Sequence, residues 1–417
     1  MKSIAIIGGG AAGLMTVATL IESNIDAEIH LFEKNDKLGI KVSLSGGGRC
    51  NVTTGINDRR TLLSNYIRGD KFLRPAMAAF PPSKVREWFE DKGLVLKEQD
   101  DKRVFPASDN GNDVIAVFLK LFKNHRLHIH SKEGVLDVEF DDQFRIKTEK
   151  EKYTFDSVVI TTGGNAYRKT GSTGDGYGFA RKLGHTVTPL GPSLNSFFAE
   201  QAWCKENSGI SFPNAKLRTT LSSGEQKQES GPVLLTHFGI SGPAVFALAA
   251  HAAFEPITPK NPLEVFLIPD KSFQFDTLDK ELQSRFMQDG GKLPHNIISD
   301  WFPERFVKAV ISLTGVGSKK SADTTRTERQ QIVRYLTEGL PLTITARRPG
   351  DEFVSAGGVS LDEINPKTME SRLLDNLYFA GEILNVDGLT GGFNLQSAWA
   401  TGRLAGRGIL LKSESLY

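Results

Sequence analysis

The stretch from Ser3 to Gly13, SIAIIGGGAAG, restricts what this chain can fold into more than any other. An apolar run ending at Gly8-x-Gly10-x-x-Gly13 reads as a strand turning sharply into a helix. Gly8 allows the bend, Gly10 has no side chain to obstruct a phosphate, and Gly13 lets the helix lie close to the sheet. The first helical turn, with Ala11 and Ala12, then offers unpaired N–H groups and a partial positive charge to an anion. Glycine-rich turns also arise for steric reasons alone, so context decides the reading. Residues 28–33, EIHLFE, read as a second parallel strand, and Glu33 stands at its end, where a carboxylate would accept hydrogen bonds from a ribose. Strand, glycines, helix and acid together predict a dinucleotide site in a Rossmann-like α/β sheet.

A chain of 417 residues with 39% hydrophobic and 24% charged content has the composition of a globular protein of two or three domains. Lysine plus arginine number 51 against 49 aspartates and glutamates, so no global field favours nucleic acid and only a local basic patch could. Cys50 and Cys204 lie far apart and outside any CxxC, which argues against a disulfide framework and for a reducing compartment. No apolar run approaches the roughly 18 residues of a membrane span. The chain passes from Met1-Lys2 directly into its first strand, leaving no room for a signal peptide. The expectation is a cytoplasmic protein without a membrane partner.

After Glu33, residues 39–53, GIKVSLSGGGRCNVT, hold Gly46, Gly47 and Gly48 in succession, with Lys41, Ser45, Arg49 and Asn51 around them. Three adjacent glycines weaken any regular element and point to close backbone approach to something flat or charged; the competing reading is a flexible surface loop. Cys50 is read as a packed side chain before a nucleophile. Residues 58–93 have helical spacing, broken at Pro81-Pro82, and strands are expected at 94–97, 127–130, 135–140, 144–148 and 153–160. His128 and His130 would share a strand face, but no cysteine or carboxylate cluster completes a metal site there. Residues 157–164, SVVITTGG, form another apolar strand ending at Thr162-Gly163-Gly164, followed by a helix through 178–183. No second GxGxxG follows, which argues against a separate nicotinamide-binding unit.

From about Thr188 the chain reads as β-rich, with strands at 216–222, 232–236 and 263–268 and a turn at Ser223-Gly224-Glu225. Ser241 is the expected N-cap of a helix with Pro243 in its first turn, and the nearby His237 is read as structural first and as a site residue second. Helices are expected at 276–287, 295–301, 304–313 and 326–338. Lys319, Lys320, Arg326, Arg329, Arg347 and Arg348 read as solvated surface, and as the place where an RNA would dock if one does. Near the C-terminus, Asn376–Ala380 is a strand, Gly381-Glu382 follows it, and Gly391-Gly-Phe-Asn-Leu-Gln-Ser397 opens a final helix. A second helix N-terminus of this kind suits the negative charge that a flavin acquires at its pyrimidine edge on reduction, a need that nicotinamide lacks.

At GGGAAG (8–13), GIKVSLSGGGRCNVT (39–53), TTGG (161–164), TGDGYGFA (173–180), THFGISGP (236–243), SAGGVSLDEINPKTMESR (355–372) and FAGEILNVDGLTGGFNLQSAWATG (379–402), the chain resembles the BaiN/YhiN-like family of FAD-binding NAD(P)/FAD-dependent oxidoreductases. The resemblance implies an FAD domain from 1–187 and 352–417, a β-rich, barrel-like insertion from 188–270 and 340–351, and a helical subdomain from 271–339. It places Glu33 on the adenosine ribose with Lys34 beside it, Val135 near adenine, and Arg49 with the Gly46–Gly48 loop near the pyrophosphate or flavin. Gly381, Glu382, Gly392, Phe393 and Asn394 would follow the ribityl chain and isoalloxazine. A more distant similarity is to fumarate-reductase-type flavoproteins, whose HTMGG-like segment has a histidine where this chain has Ser355-Ala356; that difference argues against dicarboxylate chemistry.

The expectation is an FAD-dependent oxidoreductase that moves hydride between flavin N5 and a small molecule, an activated carbon–carbon double bond or an amine, with NADH or NADPH as candidate electron donor. The alternatives are a flavoenzyme that modifies an RNA base and a flavin-binding interaction protein without turnover. The catalytic residues and the oligomeric state are not legible.

Overall fold

Five parallel strands organise the nucleotide-binding part: β1 (Lys2–Ile7), β2 (Ala27–Glu33), β3 (Leu127–Ser131), β4 (Ser157–Ile160) and β5 (Leu377–Phe379), in the order β5-β4-β1-β2-β3. This is a computed structural model, and it describes residues 2–123, 126–350 and 352–414. Ile4–Ile7 pairs with Ser157–Ile160 on one side, and Lys2–Ile7 pairs with Ala27–Phe32 on the other. Ile4–Ile7 and Ser157–Ile160 are buried throughout, as a parallel sheet covered on two faces requires. The strand order reverses at β1, which leaves a crevice outside the C-terminal ends of β1 and β4.

Helix α1 (Ala11–Glu22) follows β1 directly, and helix α2 (Phe393–Glu414) comes from the far end of the chain to pack on it. A Cβ on Gly402 would lie 2.4 Å from Ala12 O, and Thr16 Oγ1 donates to Gly402 O at 3.0 Å. The Rossmann-like sheet is therefore built from both chain ends, as the sequence predicts.

The chain divides into two units, Met1–Pro192 with Phe353–Tyr417, and Ser193–Glu352. In the second, strands Phe197–Ala199, Ser211–Thr220, Gln226–Leu235, Gly239–Ser241, Leu263–Ile268 and Leu340–Arg347 close into a barrel. Helices Phe275–Gln288, Pro294–Ile298, Glu304–Thr314 and Arg326–Thr337 share its apolar core, where Leu217, Val265 and Leu342 belong to one cluster with Leu282, Phe306 and Leu336. The last of these helices opens on a capping box between Thr325 and Glu328.

Several local expectations are corrected. The run 153–160 is two strands, Lys152–Phe155 and β4, because the Asp156 carboxylate accepts hydrogen bonds from Ser3 N (2.8 Å) and Ser3 Oγ (3.0 Å) and turns the chain from one sheet into another. Within 58–93 a short strand, Tyr66–Arg68, pairs with Asp387–Gly388, and Arg68 forks onto the fully buried Asp387. Ser241 ends a strand and bonds Ser196 Oγ at 2.9 Å, so Gly242 takes the N-cap position.

Candidate functional site

At the end of β1, Gly8 adopts φ +109° and donates to Phe32 O at 2.9 Å. A Cβ there would fall 2.6 Å from Thr161 O, and one on Gly13 would fall 2.0 Å from Gly8 O. Gly10 is the N-cap of α1 with no side-chain partner, no acid occupies the first turn, and nothing lies within 4 Å of where its Cβ would be. The first N–H groups of α1, at Ala11 and Ala12, are thus left for an anion.

Glu33 is already oriented. Its Oε2 accepts Gly9 N–H at 2.9 Å, and its Oε1 accepts Asn35 N (2.9 Å) and Asn35 Nδ2 (2.7 Å). Val135 opens the strand two residues beyond Glu133, whose N–H donates to Glu33 O at 3.0 Å. Lys34 turns away to Asp175 at 2.5 Å and to Thr173. Burial works to raise the Asp175 carboxyl, but the Lys34 ammonium and the Thr173 hydroxyl outweigh it and hold the group below its ordinary range.

Past β4, Thr162, Gly163 and Gly164 meet segments from the rest of the chain. A Cβ on Gly164 would fall 2.6 Å from Ser355 Oγ and 2.8 Å from Glu382 Oε1. Ser355 Oγ accepts Asn165 N–H at 2.7 Å, and Ser355 N donates to Glu382 Oε1 at 2.9 Å. Lys41 Nζ completes the cluster through Glu382 Oε2 (2.7 Å) and Ala166 O (3.3 Å). Among the buried polar side-chain atoms of this unit that have no hydrogen-bond partner are Thr162 Oγ1, Tyr177 Oη and Asn385 Oδ1; Gln99 and Arg403 hold the others among the described residues. Burial, and after it the Glu382 charge, push the Tyr177 phenol up, so it stays a neutral donor.

The closing segment is set close to the first. A Cβ on Gly381 would fall 2.8 Å from Ala12 Cβ, and Gly381 N–H donates to Thr401 Oγ1 at 3.0 Å. Gly392, at φ +92°, leaves no room for a side chain against Thr53 O, 2.3 Å from its Cβ position. Phe393 is buried with its carbonyl accepting from Tyr66 Oη, and Asn394 spends its amide on Gly388 N and O.

Gly46, Gly47 and Gly48 all have positive φ, and open space surrounds the Cβ positions of the last two. The polar residues beside them are engaged inside the protein: Ser45 Oγ with Val42 O, Asn51 Oδ1 with Val104 N, and Arg49 stacked 4.1 Å above the Phe105 ring. Cys50 is buried, and burial pushes its thiol up to about 12. His237 is exposed against Phe238. His128 and His130 gather with His30, whose Nδ1 lies 3.0 Å from His130 Nε2; among the described residues no metal-binding group forms. Of the six basic residues read as solvated surface, Arg329 is instead buried and donates to Asp279 at 2.8 Å; Lys319 pairs with Glu328, Arg347 is held by Ala252 O and Glu255 O, and Arg348 lies over Phe238.

Sequence reading noted Ser355 only as the place where a fumarate-reductase-type histidine is missing, and did not single out Tyr177 or Asn385. The TGDGYGFA and FAGEILNVDGL segments contain the latter two, but only the fold shows that their side-chain oxygens are left unpaired.

A family model described as "HI0933-like protein Rossmann domain" matches residues 2–408. The chain belongs to that family. Its motif resemblance is borne out by a "3-dehydro-bile acid delta(4,6)-reductase" of Clostridium scindens, 29% identical over 98% of both chains. A "Ribosomal RNA dihydrouridine synthase" of Haemophilus influenzae is 26% identical over 95% of both chains. Among solved structures, an Escherichia coli quinol fumarate reductase chain matches all of this chain and 72% of its own length at 17% identity and a TM-score of 0.51, which is a likeness of fold. No described helix is long and apolar enough to cross a membrane.

Proposed function

We propose that the protein is an FAD-dependent oxidoreductase that reduces a carbon–carbon double bond conjugated to a carbonyl, taking electrons from NADH or NADPH. The observation that carries the cofactor reading is the pairing of an uncapped α1 N-terminus with a Glu33 carboxylate fixed beside it by Gly9 N–H at 2.9 Å. Each carboxylate oxygen can accept more than one hydrogen bond, so Glu33 keeps capacity for ribose hydroxyls.

The residues present fit FAD. Bare glycines at Gly10, Gly47 and Gly48 leave space for a pyrophosphate or a ring, and Thr162, Tyr177 and Asn385 hold buried polar atoms that a ligand could satisfy. When bound, FAD supplies hydride chemistry at N5. The chain's own contribution is to orient and charge-balance the site: Glu33 takes the ribose, the α1 N-terminus faces the diphosphate, and Lys41 with Glu382 sets a charged pair near Gly164. The start of α2 at Gly392 adds a second positive helix end for the reduced ring.

The substrate reading rests on the relatives. A 3-dehydro Δ4,6 bile acid and the uracil of uridine are different molecules, yet both names describe hydrogenation of a double bond conjugated to a carbonyl. Anaerobic reduction of the purified protein, followed by mixing with conjugated enones and with isolated alkenes, tests it. Rapid reoxidation by the conjugated class alone is expected, and indifference to both would overturn the reading.

A further inference from the structure

The unit Ser193–Glu352 contains as many acidic as basic residues, but the barrel does not distribute them evenly. Along Ser211–Thr220, Leu217 and Thr219 are buried while Lys216 and Arg218 lie on the other side of the sheet. Lys216 pairs in register with Ser230 and Ile268, and Arg218 with Gln228 and Phe266. The nearby acid Glu229 alternates to the opposite side and meets His251 at 2.8 Å. This outer face therefore carries cations, amides and an aromatic ring, with Glu264, two residues before Phe266, as an exposed acid on the same side.

Arg218 stands over the Phe266 ring, 5.3 Å from its centroid, and donates to Glu338 O at 2.5 Å. The ring remains 37% exposed. Beside this pair opens a groove of about 640 Å³, with Lys216, Lys271, Phe273 and Phe275 in its walls and Glu338 as its one carboxylate. Among the described residues neither lysine has an ion-pair partner. Asp270, next to Lys271, is occupied by Asn214 Nδ2, Ser272 N and Ser272 Oγ.

We propose that this groove and the adjoining strand face bind a segment of single-stranded RNA. Lys216, Lys271 and Arg218 meet the phosphates, and Phe266 offers a stacking surface for an unpaired base. Cations set beside exposed aromatic rings suit unpaired bases, because a duplex hides its base faces. The surface differs from the one suggested by Lys319, Lys320, Arg347 and Arg348, and it does not depend on the flavin reading.

Fluorescence anisotropy of the full chain with a labelled 12-nucleotide uridine-rich RNA tests the proposal. Binding is expected to weaken with salt at a slope of about 2 in log Kd against log salt, from roughly 0.7 for each of three phosphates. The double variant Lys216→Glu/Lys271→Glu should bind at least about tenfold more weakly, Phe266→Ala should also lose affinity, and Lys216→Arg/Lys271→Arg should retain it. Unchanged circular dichroism and thermal midpoint in the glutamate variant would separate lost contacts from lost folding. Absence of RNA binding by the wild-type chain, equal binding by the glutamate variant, equal affinity for duplex RNA, or stronger binding of phosphatidylserine vesicles or a polyglutamate peptide than of the RNA would each overturn it. Flavin content of the same preparation reports on the other reading separately.

Discussion

Gly9 N–H donates to Glu33 Oε2 at 2.9 Å, so the glycine turn and the acid at the end of β2 form one unit before any ligand arrives. Replacing Glu33 by alanine removes this clasp together with the proposed ribose contact. Hydrogen bonds to a charged group contribute about 1.5–3 kcal/mol each, which corresponds to FAD retention weakened by roughly 10- to 100-fold. Equilibrium dialysis of released FAD checks it, and unchanged affinity would show that the ribose lies elsewhere.

Two glycines in helices should respond to alanine with opposite signs. At Gly402 the new Cβ would lie 2.4 Å from Ala12 O, a backbone atom that cannot move without separating α2 from α1. Overpacking of this kind costs about 1–3 kcal/mol and outweighs the gain in helix propensity. Gly178, in the helix Asp175–Lys182, is exposed with nothing within 4 Å of its Cβ position, so alanine there should stabilise by about 0.5–1 kcal/mol. Urea midpoints of the two variants distinguish these outcomes.

Neither cysteine should react in the native protein. Both Cys50 and Cys204 are buried with thiols pushed up to about 12 by burial, so almost no thiolate exists at neutral pH. A chromogenic disulfide reagent should titrate no thiols in buffer and two in guanidinium, and Cys50→Ala should leave flavin reduction intact. Rapid native labelling at Cys50 would reopen a nucleophilic role.

Acid should destabilise the sheet through His30. Its pKa is lowered to about 4 by burial and by the neighbouring His128 and His130, with Glu28 opposing; Tyr153 and Phe155 pack against the ring from the adjoining strand. The unfolded chain therefore binds the proton first as pH falls below about 6.5, and stability drops until about pH 4. His30→Phe should flatten this part of the urea-midpoint profile. Parallel profiles for variant and wild type would assign the effect to other groups.

The legible parts of the molecule were those written in consecutive residues. The β1 turn, the alternating strands and the amphipathic helices each carry their own local signal, so the parallel sheet and a β-rich middle region could be anticipated from the residues. The barrel-like arrangement of that region followed only from the family resemblance. Lys41 with Glu382, or Ser355 with Asn165, could not, because each pair joins segments far apart in sequence and depends on the crevice that the strand order creates. Arg347 misled for the same reason: its charge suggested surface, whereas the fold turns its guanidinium onto two backbone carbonyls. The ion pair of Lys34 with Asp175 was likewise not legible, because it joins residues far apart in sequence.

The central claim is most directly tested by single-turnover reoxidation of the anaerobically reduced protein. With a conjugated enone the flavin band near the visible blue should return with a rate that rises with enone concentration, while the saturated ketone leaves it bleached. A preparation that holds no flavin, or one whose reoxidation is the same with both compounds, would contradict the account.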